Sequence, residues 1–142
     1  MKISARNVFD GVVTAITPGA VHAEVVMATQ QGDTLVAIVT EGSVASLGLV
    51  PGKAVKALVK APWVILLAGA PTLKLSARNQ LTGTVSAITK GAVNSEVTLT
   101  LPGGTEIHSV ITQEAVMDLG LKVGDTATAL IKASHIILAV ET

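Results

Sequence analysis

The stretch "SEVTLTLPGGTEIHSVIT", residues 95–112, has the pattern of a β-hairpin. Two runs rich in β-branched residues flank Pro102, Gly103 and Gly104, which is the composition of a tight turn between antiparallel strands. A second arrangement of this kind lies at residues 23–40, where "AEVVMAT" and "DTLVAIVT" flank Gln30, Gln31 and Gly32. The two hairpins predict that this protein is built from strands.

The hairpins belong to an internal repeat. When the chain is shifted by 72 positions, it aligns with itself from Ile3/Leu75 to Ala70/Thr142 without a gap, and 27 of the 68 pairs are identical. An ungapped match of this length indicates two copies of one domain. The predicted domains are residues 1–70 and 71–142, joined at "GAPT" of residues 69–72, where glycine and proline interrupt regular structure.

Each copy has the pattern of about five strands and one short helix. "GVVTAIT" and "GTVSAIT" are strand-like and precede the hairpins. "EGSVASLGL" and "QEAVMDLGL" predict one or two helical turns that end at a glycine, and "AVKALVKAPWVILLA" closes the first copy as one or two strands. This order predicts an all-β fold of two tandem five-stranded Greek-key barrels of the oligonucleotide-binding-fold type, each with a short helix. Because domains of this size have small cores, we expect an oligomer.

Composition excludes several classes of function. The 142 residues carry 10 basic and 10 acidic side chains, so the net charge is zero, which disfavours binding to nucleic acid. Phe9 and Trp63 are the only aromatic residues, too few for a surface on which bases stack. Cysteine is absent, and the three histidines have no histidine counterpart in the other copy, so no metal-cation site is predicted.

The chain is also predicted to be cytoplasmic and free of membrane segments. Its start, "MKISARNVFDG", carries polar residues where a signal peptide has an apolar segment. The most apolar stretch, "APWVILLAGAP", is far shorter than the roughly 20 residues that a membrane span needs.

The polar residues that the two copies share favour a small oxyanion site. They are Ser4/Ser76, Arg6/Arg78, Asn7/Asn79, Thr17/Thr89, Glu24/Glu96, Thr40/Thr112 and Lys60/Lys132. One arginine and one lysine per copy, with hydroxyls and backbone N–H groups nearby, supply the charge and the donors that an oxyanion needs. The alternative is structural, with "SARN" as a turn and the lysines as strand-edge residues that prevent aggregation.

No catalytic constellation is present, so the chain is predicted not to be an enzyme and to need no cofactor. The only shared carboxylates, Glu24 and Glu96, lack the second titratable group that general acid–base catalysis needs. The sequence has no nucleophile elbow, dinucleotide fingerprint or phosphate-binding loop.

The stretch "SARNQLTGTVSAITKGAVNSEVTLTLPGGTEIHSVIT", with "LGL" and "KAS" further on, closely resembles the Mop domain of molbindins, small cytoplasmic proteins that bind molybdate and tungstate. The resemblance covers essentially the whole chain, once per copy, and with two copies the chain is similar to the di-domain molbindins. It implies a barrel of the oligonucleotide-binding type and a homo-oligomer. Single-domain members are hexamers, and three two-domain chains supply the same six domains, so a trimer is expected.

The resemblance also implies sites between domains. One domain supplies the serine and arginine of "SAR" and the lysine of "KA", and a neighbour supplies the threonine and serine that follow the hairpin. These are Ser4, Arg6, Thr40, Ser43 and Lys60 in the first copy and Ser76, Arg78, Thr112 and Lys132 in the second, with backbone N–H groups near Ala61 and Ala133. The second copy has Ala115 in place of Ser43. A weaker second class of site would use the "GAV" turns, at Ala20, Val21, His22, Ala92, Val93 and Asn94.

The functional hypothesis is intracellular binding, storage and buffering of molybdate or tungstate, without catalysis. The alternative is a molybdate-sensing module that regulates a partner protein, for which the same site would serve.

Overall fold

The computed structural model describes all 142 residues and consists of ten strands, two α-helices and two short 3₁₀ helices. In the first copy these are β1 (Asn7–Thr17), β2 (His22–Thr29), β3 (Thr34–Thr40), α1 (Glu41–Leu47), β4 (Ala54–Val59), a 3₁₀ helix (Ala61–Trp63) and β5 (Ile65–Ala68). In the second copy they are β6 (Asn79–Thr89), β7 (Asn94–Thr100), β8 (Glu106–Thr112), α2 (Gln113–Leu119), β9 (Thr126–Ile131), a 3₁₀ helix (Ala133–His135) and β10 (Ile137–Ala139). The predicted all-β fold, with five strands and a short helix per copy, is confirmed.

The chain forms two compact units, each with one antiparallel five-stranded sheet. Unit 1 comprises residues 1–59 and 132–142, and its strand order is β10-β4-β1-β2-β3. Unit 2 comprises residues 60–131, and its order is β5-β9-β6-β7-β8. In unit 1 the edge strand β10 also contacts β3, and in unit 2 β5 also contacts β8, so each sheet curls towards a barrel.

The compact units exchange the last strands of the two sequence copies. β10, from the second copy, pairs with β4, and β5, from the first copy, pairs with β9. A 3₁₀ helix follows β4 and another follows β9, and after each the chain continues into the other sheet. The boundaries at residues 70 and 71 therefore delimit the sequence repeat, whereas the spatial units divide at residues 59/60 and 131/132.

The hairpins and their alternating burial form the core of each unit. In β2 the side chains of Ala23, Val25 and Met27 are buried, while the residues between them are partly exposed, as the two-residue period of a strand requires. Both hairpin turns use a glycine in the left-handed region, Gly32 at φ 92° and Gly104 at φ 100°. The sequence prediction of two hairpins is confirmed.

The short helices end at the glycines that the sequence predicts, and each begins after a threonine. Thr40 caps α1, its hydroxyl accepting a hydrogen bond of 3.0 Å from the Ser43 N–H, and Thr112 caps α2 in the same way. Gly48 and Gly120 end the helices in the left-handed conformation. Both threonines of the predicted site are thus fixed at the junction of a strand and a helix.

The two units differ in polar contacts beside the exchanged strands. In unit 1 the Lys56 ammonium lies 2.5 Å from Asp10 and 3.9 Å from Glu141, and the hydrogen bond that it donates to the Asp10 carboxylate raises the pKa of Lys56. In unit 2 the corresponding positions hold Thr82 and Thr128, whose hydroxyls are 2.8 Å apart. At equivalent positions beside the exchanged strand, unit 1 therefore has a cluster of charged side chains and unit 2 has two neutral hydroxyls.

Candidate functional site

The asparagine of each "SARN" joins the start of one strand to the end of another. Asn7 is 1% exposed, and its side-chain amide donates to the Val59 carbonyl at 3.3 Å. Asn79 is 2% exposed and donates to the Ile131 carbonyl at 3.2 Å. These residues are also strand partners, Asn7 with Val59 and Asn79 with Ile131. The amide bonds therefore fix where the "SARN" segment runs beside the strand that leads into the lysine.

Each paired asparagine is flanked by the predicted cations. Arg6 precedes Asn7, and Lys60 follows Val59; Arg78 precedes Asn79, and Lys132 follows Ile131. All four cationic residues are exposed, as are Ser4 and Ser76. In each copy the arginine and the lysine are therefore adjacent in sequence to the two residues of one anchored strand pair, and exposed cationic side chains of this kind can bind an anion from solvent.

The predicted backbone donors lie at the start of the 3₁₀ helices. Ala61 and Ala133 are buried first residues of these helices, and Lys60 and Lys132 are their N-cap residues. The lysine carbonyls accept hydrogen bonds from the N–H groups of Trp63 and His135 at 3.0 and 2.9 Å. Since the first N–H groups of a helix have no acceptor within that helix, this backbone can donate to a ligand.

Trp63 is a neighbour of the site that sequence reasoning missed. The Lys60 ammonium lies 5.2 Å from the centre of the indole ring, within the range of a cation–π interaction. The signal was available, because residues three apart on a 3₁₀ helix lie on the same side. The second copy has His135 at this place, so the two lysines have different neighbours.

The strand exchange decides which lysine segment shares a unit with which threonine. In unit 1 the 3₁₀ helix after Lys132 packs against β3, the strand that ends at Thr40. In unit 2 the 3₁₀ helix after Lys60 packs against β8, which ends at Thr112. Each lysine segment therefore lies in the unit that carries the other copy's threonine.

Unit 1 has a cleft beside its threonine. The cleft has a volume of about 310 Å³, and Thr40, Ser43, Ser134 and His22 contribute its polar wall. The Thr40 and Ser43 hydroxyls are 2.9 Å apart. Ser134 was not among the predicted residues, since its counterpart in the first copy is Pro62 and the comparison of the copies selected only shared residues.

The "GAV" turns are exposed and attached to the helices. Ala20, Val21, Ala92 and Val93 are exposed, and His22 and Asn94 are the exposed first residues of β2 and β7. In unit 1 the Glu41 N–H donates to the Val21 carbonyl at 2.8 Å, and in unit 2 the Gln113 N–H donates to the Val93 carbonyl at 2.8 Å. Each turn is therefore held at the position where its helix begins.

Two further observations concern metal ions and membranes. No group of three or more histidine, aspartate or glutamate side chains is arranged to hold a metal ion. None of the helices has the length and apolar character needed to traverse a bilayer.

Comparison with known proteins gives consistent matches. Residues 3–66 and 75–138 each match the sequence model of the TOBE domain. The chain is 48% identical over 139 residues to the molybdenum-pterin-binding protein MopA of Rhodobacter capsulatus, a match that covers 98% of this chain and 52% of MopA. It is 46% identical over 140 residues to the molybdenum transport protein ModE of Azotobacter vinelandii, covering 99% of this chain and 52% of ModE. The chain thus spans about half the length of these two relatives.

A solved structure matches along its full length. It is the cytoplasmic molybdate-binding protein ModG with molybdate bound, which is 59% identical to this chain and superposes with a TM-score of 0.95. The match covers 99% of this chain and 100% of the other.

Proposed function

The chain belongs to the TOBE-domain family and contains two such domains, and from this premise we propose that it binds, stores and buffers molybdate or tungstate without catalysing a reaction. The observation that carries the proposal is the buried Asn7–Val59 bond with its repeat at Asn79–Ile131, since each has an arginine before the asparagine and a lysine after its partner. The match to a molybdate-bound ModG supports the choice of ligand.

The proposed main sites use the cations, hydroxyls and backbone donors described above. The members are Ser4, Arg6, Lys60, Ala61, Thr40 and Ser43 with their counterparts Ser76, Arg78, Lys132, Ala133 and Thr112. The "GAV" turns form a second, weaker class. The cationic side chains and the backbone N–H groups only donate hydrogen bonds, whereas the hydroxyls can donate or accept.

A shell of donors selects its ligand by charge and size. Molybdate carries two negative charges and no proton at neutral pH, so all of its oxygens accept hydrogen bonds. Phosphate in its protonated forms also presents a donor, which the cations and backbone N–H groups cannot accept. Where the hydroxyls are already used as donors to the anion, that phosphate donor is left unpaired, which costs about 1–3 kcal/mol. Sulfate is fully ionised but smaller, so it reaches fewer donors at once.

The decisive experiment is equilibrium dialysis of the full chain against molybdate, with bound molybdenum measured by mass spectrometry. We expect saturable binding that persists in a large excess of sulfate. Binding that sulfate abolishes would indicate a general anion site, and no binding at any concentration would refute the proposed function.

The missing hydroxyl in the second copy predicts a gain of affinity. Thr112 caps α2 as Thr40 caps α1, but Ala115 offers no hydroxyl where Ser43 does. Ala115→Ser is therefore expected to strengthen binding at the sites that use Thr112 by about fivefold, the value of one ordinary hydrogen bond. Ser43→Ala is the matched loss and should weaken the other sites by a similar factor. Titration calorimetry of both variants checks this. If both variants bind molybdate with the affinity of the unsubstituted protein, the residues at positions 43 and 115 do not belong to the site.

Trp63 gives an optical test of the Lys60 site. Because it is the only tryptophan and lies 5.2 Å from the Lys60 ammonium, an anion that draws the ammonium away changes the surroundings of the indole. We expect molybdate to change the tryptophan emission, and Lys60→Met to remove that change. Lys132→Met, the same substitution in the second copy, should leave it in place. An emission change that survives Lys60→Met would place the responding anion elsewhere.

The proposal includes a cytoplasmic homotrimer, and no nucleic-acid partner. ModG, the full-length structural match, is described as cytoplasmic. If the complete sites form only between subunits, molybdate will stabilise the assembly, so light scattering with and without ligand tests the oligomeric state.

A sensing role is the second candidate. It is favoured by the matches to MopA and ModE, in which the aligned segment is about half of a longer protein. A sensor must change its surface when loaded, so hydrogen exchange that differs between free and bound protein away from the site would favour sensing over storage.

A further inference from the structure

The two "GAV" turns, which are related by the repeat, satisfy the same backbone donor in different ways. In unit 1 the Gly19 N–H donates to the Glu41 carboxylate at 3.3 Å. In unit 2 the Gly91 N–H donates to the Ser95 hydroxyl at 3.4 Å, and that hydroxyl donates in turn to the side-chain carbonyl of Gln113. The acceptor of this N–H is thus a carboxylate in unit 1, whereas in unit 2 it is a neutral hydroxyl that is itself bound to a neutral amide.

The difference rests on two linked positions. Ser95 is 2% exposed, and its counterpart is Ala23, which has no hydroxyl to offer. Gln113 corresponds to Glu41, the first residue of the helix in each copy. Without a serine, the turn of unit 1 receives an acceptor directly from the helix, and that acceptor carries a negative charge.

Both turns require glycine at the position that donates the hydrogen bond. A Cβ at position 19 would lie 2.3 Å from the His22 carbonyl oxygen, and one at position 91 would lie 2.1 Å from the Asn94 carbonyl oxygen. Glycine is therefore required at both positions, and both turns have the same close backbone approach. The backbone geometry that presents the donors is shared, whereas the charge beside it is not.

We infer that Glu41 acts as a built-in anion at the turn of residues 19–22 and keeps a free oxyanion away from it, so that the turn of residues 91–94 is the one that accepts the ligand. This inference rests on the proposed function and assigns a specificity-determining residue to its weaker class of site. A dianion that approaches the exposed residues Ala20 and Val21 meets the Glu41 carboxylate, which is bound to the Gly19 N–H of the same turn. At the exposed residues Ala92 and Val93, the corresponding side chain is the uncharged amide of Gln113.

The chain offers reciprocal variants for the test. Glu41→Gln keeps the side-chain length and an acceptor oxygen for Gly19 but removes the charge. Gln113→Glu introduces the charge at the other turn. Glu114→Gln is the matched control, because Glu114 is the acidic residue in the first turn of α2 and has no counterpart charge at Gly42.

The measurement is equilibrium dialysis against molybdate, carried to concentrations well above those that saturate the arginine sites. We expect Glu41→Gln to bind additional molybdate per chain, with affinity at its turn raised on the order of tenfold, and Gln113→Glu to lose weak-site binding by a similar factor. Glu114→Gln should match the unsubstituted protein.

The other outcomes distinguish a failure of the role of Glu41 from a failure of the proposed function. If the unsubstituted protein binds molybdate and neither Glu41→Gln nor Gln113→Glu changes the number bound, the role of Glu41 is refuted and the proposed function stands. If Glu114→Gln has the same effect as Glu41→Gln, net charge explains the result and the inference fails. If the unsubstituted protein binds no molybdate, the proposed function and this inference both fail.

Discussion

Replacing Arg6 and Arg78 together with alanine is expected to weaken molybdate binding by about 100-fold. Each guanidinium can give a pair of charge-assisted hydrogen bonds, and hydrogen bonds to charged groups contribute about 1.5–3 kcal/mol each. A loss of about 2.7 kcal/mol corresponds to 100-fold in affinity. Equilibrium dialysis or calorimetry of the double variant measures this, with the fold checked by circular dichroism.

Two controls separate geometry from charge. Arg6→Lys/Arg78→Lys keeps the charge but loses the planar pair of donors, so we expect an intermediate loss of about tenfold. Lys2→Ala/Lys74→Ala removes two charges from exposed residues that lie two positions before Ser4 and Ser76. That variant should bind as the parent does. If it loses as much affinity as the arginine variant, general attraction of anions, and not the "SARN" site, would account for binding.

Asn7→Asp and Asn79→Asp are each expected to lower the free energy of unfolding by about 3–5 kcal/mol at neutral pH. The amide now donates to a strand carbonyl in a buried place, and an aspartate of the same shape would bring a carboxylate oxygen against that carbonyl. Urea denaturation measures the loss. Because burial would raise the pKa of the new carboxyl, the deficit should shrink as the pH falls through that raised value, where the protonated acid can donate again.

Asn94→Asp is the matched control, since Asn94 is exposed at the start of β7. It should change stability by less than about 0.5 kcal/mol. An Asn79→Asp variant as stable as the Asn94→Asp variant would show that the buried amide is not needed to hold the end of β9. The asparagine of "SARN" would then have to serve the ligand and not the fold.

The sequence left two interpretations of "SARN", a structural turn or a ligand site, and different residues of the tetrapeptide suit each of them. The structure gives Asn7 and Asn79 a structural task, while Arg6 and Arg78 remain exposed at the same strand end. Sequence comparison of the copies could not divide the tetrapeptide in this way, because identity between copies marks fold and function alike.

Three residues that sequence reasoning passed over differ between the copies. Trp63, Ser134 and Glu41 each have an unlike counterpart, namely His135, Pro62 and Gln113. Selecting shared residues as functional removed them at the first step. Their positions became informative only when the structure placed them beside Lys60, in the cleft with Thr40, and at the turn of residues 19–22.

The sequence by itself determined the strands, the hairpin turns, the capped helices and the set of polar residues common to both copies. These depend on local patterns, such as two-residue alternation, glycine in turns and threonine before a helix, that can be read along the chain. Only the tertiary structure decided that β5 and β10 exchange sheets, and therefore that Lys132 shares a unit with Thr40 and Lys60 shares one with Thr112. The physical reason is that Ile65 and Leu66 are identical to Ile137 and Leu138, so either strand satisfies the apolar pattern of either sheet, and the choice depends on the path of the chain through space.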